Sequence, residues 1–225
     1  MKAVRIISPQ TTKPSALQIS SAFAVRELLV ILLIVAILLA LTWAALSSDR
    51  ARSRRISCNC HLKQIGLSFR MWSNDHGEKF PFAVSTNKGG SLEFIGPGEV
   101  FRYYLLVSNE LNSPRVLTCP SDKARTRTSD FAVLSDRNLS YFVGLDAVET
   151  NPQRALCGDR NISTNGRLIS GILTVGTGIP VTWTQDLHNR RGNIGWADGS
   201  VSQVDDAGLK QLTNGSGLAT RLAMP

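Results

Sequence analysis

The sequence predicts an α+β fold in which one long N-terminal helix, half membrane-embedded and half amphipathic, packs on a mostly antiparallel sheet. Three observations predict this fold. A charge-free apolar run covers Leu28–Leu46. A stripe of apolar residues at helical spacing follows the run. Short apolar segments separated by turn residues then fill the second half of the 225-residue chain.

The first 22 residues have the composition of a removable leader. They contain Lys2, Arg5 and Lys13 but no acidic residue, and Ser and Thr are frequent. We therefore divide the chain into four segments: a leader over residues 1–22, a transmembrane helix over 23–46, an amphipathic continuation of this helix over 47–77, and a globular domain over 78–225.

The apolar run is long enough to cross a bilayer. It holds 19 residues without a charge, and about 20 apolar residues span a typical hydrocarbon core. The apolar region of a cleaved signal peptide is usually only about 7–15 residues long. We therefore predict a retained membrane helix. Basic residues lie on both sides of it, so charge alone does not fix its orientation.

The net charge of +8 does not by itself indicate a nucleic-acid partner. Four arginines cluster just after the apolar run: Arg50, Arg52, Arg54 and Arg55. Lipid phosphates are the nearest anions to such a cluster. Contact with lipid or simple solvation is therefore the preferred interpretation, and binding of DNA is disfavoured.

The pattern stays helical well beyond the apolar run. Apolar residues recur there at steps of four, three, four and three: Cys58, Leu62, Ile65, Phe69 and Trp72. This spacing places them on one stripe of a helix. We predict one helix from about residue 24 to residue 75, ended by Gly77 in the left-handed conformation. The rest of the chain must cover the stripe.

The globular domain contains several short predicted elements. A loop over residues 78–98 and a short helix over 99–109 come first. Strands are predicted at Val116–Cys119, Leu139–Val143, Ala155–Gly158, Ile172–Val175 and Val181–Thr184. Asp198-Gly199 between Asn193–Ala197 and Ser200–Val204 indicates a hairpin. A short helix over residues 205–212 and a loosely packed tail over 215–225 end the chain.

The four cysteines are Cys58, Cys60, Cys119 and Cys157. In an exported domain this number permits two disulfides with three possible pairings. The segment Cys58-x-Cys60-His61 lacks the usual zinc-site spacing and a second ligand pair, so we expect no metal there. Free or buried thiols are preferred over a single disulfide, and the pairing stays open.

A lone carboxylate, Glu27, stands at the beginning of the apolar run. It is the fifth residue counted from Phe23, and the small residues Ser20, Ser21 and Ala22 precede that phenylalanine. A carboxylate at the edge of the hydrocarbon is costly and indicates a function. The alternative is an interfacial carboxylate that reaches water beside Arg26.

This arrangement resembles the cleavage and methylation signature of type IV prepilins and type II secretion pseudopilins. The resemblance implies that a prepilin peptidase cuts between Ala22 and Phe23 and methylates the new amine, and that Glu27 guides assembly. It places the helix in the inner membrane, the N-terminus in the cytoplasm and the globular domain outside. Ala22 stands where the family usually has Gly, and Arg26 where it usually has an apolar residue.

A second match lies near the C-terminus, where nine residues separate His188 from Asp198-Gly199. This resembles the H-X9-DG element of prepilin-like proteins of the Planctomycetes and Verrucomicrobia type. The run Cys60–Leu67 also looks like the NLKQIGLA segment that follows their membrane helix.

We interpret this second match as structural. His188 is expected to hold its loop by hydrogen bonding to the hairpin, and Asp198 and Gly199 tolerate the positive φ angles of a turn. Acid–base catalysis by His188 and Asp198 is disfavoured because no nucleophile motif accompanies them. Asp159, Asp186 and Asp198 are weak candidates for calcium ligands, and surface pairing with arginines is the simpler interpretation.

The sequence therefore favours a pilin-like (pseudopilin) subunit without catalytic activity. By resemblance, its partners are the prepilin peptidase, the assembly platform of a type II secretion or type IV pilus-type machine, and other pilin-like subunits. The first alternative is a single-pass membrane-tethered binding domain that does not polymerise. The second is an exported enzyme that uses His188 and one or more aspartates.

Overall fold

A computed structural model describes residues 25–94, 99–176, 180–214 and 220–225, with side chains for all of these except residues 44–51 and 211–214. The predicted leader and the cut site between Ala22 and Phe23 lie outside the described residues. The chain divides into two compact units, Met1–Ser47 and Ser48–Pro225.

Helix α1 covers Val25–Asp75, as the sequence predicts. In the first unit, its part from Val25 to Trp43 is apolar and long enough to cross a membrane, and none of it is buried. In the second unit, all five residues of the predicted stripe are buried: Cys58, Leu62, Ile65, Phe69 and Trp72. Gly77 follows the helix with φ 69°, which confirms the predicted left-handed position.

The elements after α1 are short. The α-helices are α2 (Phe101–Leu106), α3 (Ser108–Leu111) and α4 (Asp206–Asn214). The strands are β1 (Tyr141–Gly144), β2 (Ala155–Asp159), β3 (Ile162–Thr164), β4 (Arg167–Leu168), β5 (Gly171–Val175), β6 (Val181–Trp183), β7 (Gly192–Trp196), β8 (Val201–Val204) and β9 (Thr220–Met224). Short 3-10 helices cover Pro81–Ala83, Thr86–Lys88, Pro114–Leu117, Phe131–Val133 and Asp136–Asn138.

Six strands form one sheet in the order β5-β9-β1-β2-β7-β8. Every pairing in it is antiparallel. Three further strands form a small sheet in the order β4-β3-β6. The predicted α+β architecture is therefore confirmed.

The large sheet has buried residues on both faces. Successive side chains of a strand point to opposite faces, and here each face packs against its own core cluster. In β1, Tyr141 and Val143 join the core cluster that contains the stripe of α1. Phe142, between them, joins a second cluster with Trp183 of the small sheet and Leu209 of α4. The central strands are buried on both sides and bring polar residues at their ends into the core.

Two predicted elements are wrong. Val116–Cys119 is not a strand, because Pro114 starts a 3-10 helix and the hydroxyl of Ser113 accepts a hydrogen bond from the backbone N–H of Arg115. The predicted loose tail contains β9, which pairs with both β1 and β5. Leu222 and Met224 are buried there, so the end of the chain is an inner strand of the large sheet.

Candidate functional site

Glu27 lies in the first turn of α1, and its side chain is exposed. Phe23, the residue after the proposed cut, is outside the described residues. The predicted assembly role of Glu27 therefore stays a prediction.

His188 lies in the loop between β6 and β7 and is only 4% exposed. Its Nε2 atom is 3.4 Å from Oδ2 of Asp159 and 3.6 Å from Sγ of Cys119. His188 thus faces Asp159 at the end of β2 and Cys119, whereas Asp198 is exposed at the turn after β7. The predicted hydrogen bond from His188 to the hairpin is replaced by an indirect connection through Asp159.

Asp159 makes that connection from the C-terminal end of β2. Its Oδ2 atom accepts hydrogen bonds from the backbone N–H of Asn193, at 2.7 Å, and from the side-chain amide of Asn193, at 2.9 Å. Asn193 belongs to β7, the first strand of the hairpin. The other oxygen, Oδ1, is buried and has no hydrogen-bond partner among the described residues. One carboxylate oxygen is therefore fully bonded and the other is unsatisfied.

Burial favours the uncharged form of both residues. It raises the pKa of Asp159 to about 7, against the hydrogen bonds from Asn193 that favour the carboxylate. Burial and then the positive charge of Arg55 lower the pKa of His188 to about 4. A carboxyl group with a pKa near neutrality can transfer protons. The carboxyl group of Asp159 is wholly buried. We therefore interpret its contacts with His188 and Asn193 as part of the protein core.

A disulfide joins Cys58 of α1 to Cys119, with 5.4 Å between the Cα atoms. The preference for free thiols is wrong for these two residues. They are 61 positions apart, and the sequence holds no local signal for the pairing. Cys60 is a free exposed thiol and Cys157 a free buried one. Burial raises the pKa of Cys157 far above its usual range.

The three calcium candidates do not converge. The buried Asp159 accepts two hydrogen bonds from Asn193. The exposed Asp186 accepts one from the hydroxyl of Thr184. Asp198 accepts one from the backbone N–H of Ser200. Among the described residues, the one group with the types and proximity of metal ligands is Cys58, Cys119 and His188. The structure therefore does not bring the three calcium candidates together.

The Asp-Gly turn differs in detail from the predicted one. Only Gly199 has a positive φ, of 85°. Its backbone N–H donates to the carbonyl of Trp196, and the N–H of Trp196 donates to the carbonyl of Ser200. These bonds define a three-residue hairpin loop whose last residue is left-handed. Asp198 serves the loop through its carboxylate rather than through its backbone angle.

Sequence reasoning missed a buried ion pair near this core. Asp122 binds the guanidinium of Arg160 through two hydrogen bonds, from Nε at 2.7 Å and from Nη2 at 2.9 Å. The hydroxyl of Ser140 donates to the same carboxylate at 2.9 Å. Burial opposes ionisation, but these donors outweigh it and lower the pKa of Asp122. No spacing in the sequence pairs Asp122 with Arg160, because they meet only in the folded chain.

A cavity of about 240 Å³ opens beside His188. Its lining includes the cationic side chains of Arg54, Arg55 and Lys123. Pro120 and Ser121, which directly follow the disulfide cysteine Cys119, also line it, as does His188 itself.

No known family model, curated protein or solved structure matches this chain. Its function must be inferred from its own residues.

Proposed function

We propose that this chain is a pilin-like subunit that is cut by a prepilin peptidase and assembled into a filament of the type II secretion or type IV pilus type. The observation that carries the proposal is the spacing from Phe23 to Glu27 directly before the apolar run Leu28–Leu46. Small residues precede Phe23, as a cut at that point requires.

The exposed apolar helix supports this proposal. Between Val25 and Trp43, none of the helix is buried within the chain. A continuous apolar surface of this kind needs lipid or other helices around it. A subunit that is held first in a bilayer and later in a bundle of like helices meets both conditions in turn.

Glu27 gives the proposal its specificity. Burying a carboxylate among apolar helices costs free energy unless an opposite charge accompanies it. Cutting before Phe23 creates a new amine four residues upstream, in the same subunit or a neighbour. Pairing of that amine with Glu27 offsets the burial cost and sets the axial register of adjacent helices.

We propose the corresponding location and partners. The N-terminus lies in the cytoplasm, α1 is anchored in the inner membrane, and the β-rich unit lies outside. The partners are the prepilin peptidase, the assembly platform and other pilin-like subunits. The chain itself acts by assembling, without catalysis.

N-terminal mass spectrometry of the protein from its native membrane fraction tests the processing step. The expected result is a mature chain that begins at N-methylated Phe23. An intact leader, or a cut after Leu46, would overturn the proposal and leave a tethered or secreted domain.

Substitution at Glu27 tests the assembly step separately. Glu27→Val and the isosteric Glu27→Gln should both be processed and inserted, yet be lost from sheared filaments, because neither can pair with the amine. Arg26→Gln is the matched control and should be incorporated. Normal incorporation of both Glu27 variants would contradict the assembly role.

A further inference from the structure

We propose that the dithiol form of this chain binds one Zn²⁺ ion through Cys58, Cys119, His188 and Asp159. The disulfide and the metal site are then two alternative states of the same core. The inference does not depend on the function proposed above.

The four residues supply a suitable set of zinc ligands. Zinc in proteins is bound by cysteine thiolates, histidine nitrogens and carboxylate oxygens, most often four in number. All four residues are buried, with exposures of 0% for Cys58, 1% for Cys119, 4% for His188 and 0% for Asp159. A buried set excludes water, as a closed structural site does.

The distances between the ligand atoms fit a tetrahedral ion. With zinc bonds of about 2.3 Å to sulfur and about 2.0–2.1 Å to nitrogen or oxygen, tetrahedral angles place N and S about 3.5 Å apart and N and O about 3.3 Å apart. Sγ of Cys119 is 3.6 Å from Nε2 of His188. That Nε2 atom is 3.4 Å from Oδ2 of Asp159. The N–S edge of the tetrahedron therefore already exists, and the carboxylate of Asp159, whose Oδ1 has no hydrogen-bond partner among the described residues, adjoins the same nitrogen.

The unsatisfied oxygen of Asp159 is an independent observation that points to a ligand. Oδ1 is buried without a hydrogen-bond partner, and a buried acceptor in that state is costly. A cation beside the carboxylate would remove this cost. Asn193 donates twice to Oδ2, which fixes the orientation of the carboxylate as outer partners of metal ligands do.

The two sulfur atoms must separate, and the carboxylate of Asp159 must come closer to them. A low-molecular-weight dithiol reduces the cystine by two electrons and leaves as its own cyclic disulfide, and Cys58 and Cys119 each gain a proton. Zinc then displaces both protons. The freed sulfurs separate to about 3.7–3.8 Å, the tetrahedral S–S edge. Rotation about the Cα–Cβ bonds provides this movement, since the Cα atoms are 5.4 Å apart.

The charge of the surroundings also suits the loaded site. Two thiolates and a carboxylate give the zinc site a net charge of −1. Arg54, Arg55 and Lys123 surround the adjacent cavity and offset that charge. His188, one of the four proposed ligands, borders this cavity, together with Pro120, which follows Cys119.

Cobalt binding to the full chain in detergent, prepared anaerobically with a phosphine reductant, tests the site. Co²⁺ replaces Zn²⁺ and reports tetrahedral thiolate ligation by its d–d and sulfur-to-metal charge-transfer bands. We expect one ion per reduced chain, its displacement by Zn²⁺, and no binding to the oxidised chain. A reduced chain with native circular dichroism and no cobalt spectrum would overturn the proposal.

Variants identify the ligands. His188→Ala and the isosteric Asp159→Asn should each weaken cobalt binding at least 10-fold. Cys60→Ser and Asp186→Asn are the matched controls and should bind as the wild type does. Unchanged binding in Asp159→Asn and His188→Ala, or lost binding in Cys60→Ser, would contradict the assignment. If His188→Ala does not fold, the proposal is tested by cobalt binding to Asp159→Asn and by comparing the reduced with the oxidised wild-type chain.

Discussion

The guanidinium of Arg70 donates a hydrogen bond of 2.6 Å to the backbone carbonyl of Asp198. This bond attaches the turn of the β7–β8 hairpin to helix α1. One helical turn earlier, a Cβ on Gly66 would lie 3.9 Å from the Cα of Gly199, so helix and turn pack closely there. The two halves of the H-X9-DG pattern therefore serve different contacts. Asp198-Gly199 meets the surface of α1, whereas His188 lies in the core beside the disulfide.

Gly199→Ala should destabilise the protein by about 1–2 kcal/mol. Gly199 has φ 85°, and an L-residue in the left-handed region carries about that penalty. The added Cβ would lie 3.4 Å from Nη1 of Arg70, an ordinary contact with a flexible side chain, so the penalty comes from φ. The measurement is the thermal unfolding midpoint of the full chain in mild detergent, followed by near-ultraviolet circular dichroism.

Gly66→Ala is the control for this prediction. It adds the same methyl group on the other side of the contact, where the new Cβ meets only an ordinary van der Waals neighbour. Alanine is also the better helix former, by up to about 1 kcal/mol. Its unfolding midpoint should be unchanged or higher. An equal loss in both variants would mean that crowding, rather than the φ of Gly199, sets the cost.

Asp122→Asn should cost about 3 kcal/mol at neutral pH, because it leaves the guanidinium of Arg160 buried without its counter-charge. Side-chain exposure in this pair is 2% for Asp122 and 9% for Arg160. Glu99→Gln is the matched control. It makes the same chemical change in the exposed pair of Glu99 with Arg102, where about 0–1 kcal/mol is expected. Similar losses in the two variants would show that burial does not strengthen the Asp122 pair.

The Asp122 pair also predicts a pH dependence. The pKa of Asp122 is lower in the folded protein than its ordinary value of 3.8. Its contribution to the free energy of unfolding is therefore fully present above pH 3.8 and is lost as the pH falls through the folded pKa. The unfolding midpoint of the wild type should drop more steeply below pH 3.8 than that of Asp122→Asn. Parallel curves for the two proteins would contradict the assignment.

Breaking the disulfide should cost about 4 kcal/mol in the chain-entropy description. Cys58 and Cys119 are separated by 61 positions, so the cross-link restricts a long loop of the unfolded chain. Cys119→Ser, measured in the presence of a metal chelator, should show this loss in the free energy of unfolding. Cys60→Ser changes an exposed free thiol and should be neutral. A neutral Cys119→Ser would show that the cystine adds no stability.

The parts of the fold that the sequence predicts correctly rest on local spacing. The stripe from Cys58 to Trp72 has helical period, and all of its members are buried. The hairpin around Asp198-Gly199 was also predicted from adjacent residues. Asn165-Gly166 is a second turn signal of the same kind, with φ 51° and 77°. It connects β3 to β4, two strands that are absent from the predicted elements.

The parts that the sequence does not predict depend on distant residues. Strand β9 pairs with β1 and β5. No sequence signal near Thr220–Met224 predicts that this segment pairs with those strands. The neighbours of His188 are also distant in sequence. They belong to β2, to the segment at Cys119 and to helix α1, which meet only in the folded chain. Spacing identified His188 as notable, but only tertiary packing shows that Asp159, rather than Asp198, is its carboxylate neighbour.

The two free cysteines should differ sharply in reactivity. The thiolate is the reactive form, and burial raises the pKa of Cys157, while Cys60 is exposed. Mass spectrometry after alkylation with iodoacetamide should therefore find one label per native chain, on Cys60. Denaturation without a reductant should add a second label, on Cys157, and reduction should then release Cys58 and Cys119. Cys60→Ser should abolish labelling of the native chain. Rapid native labelling at Cys157 would mean that the packing between helix α1 and β2 opens readily, because the Sγ atom of Cys157 lies 3.9 Å from the carbonyl of Leu62 in α1.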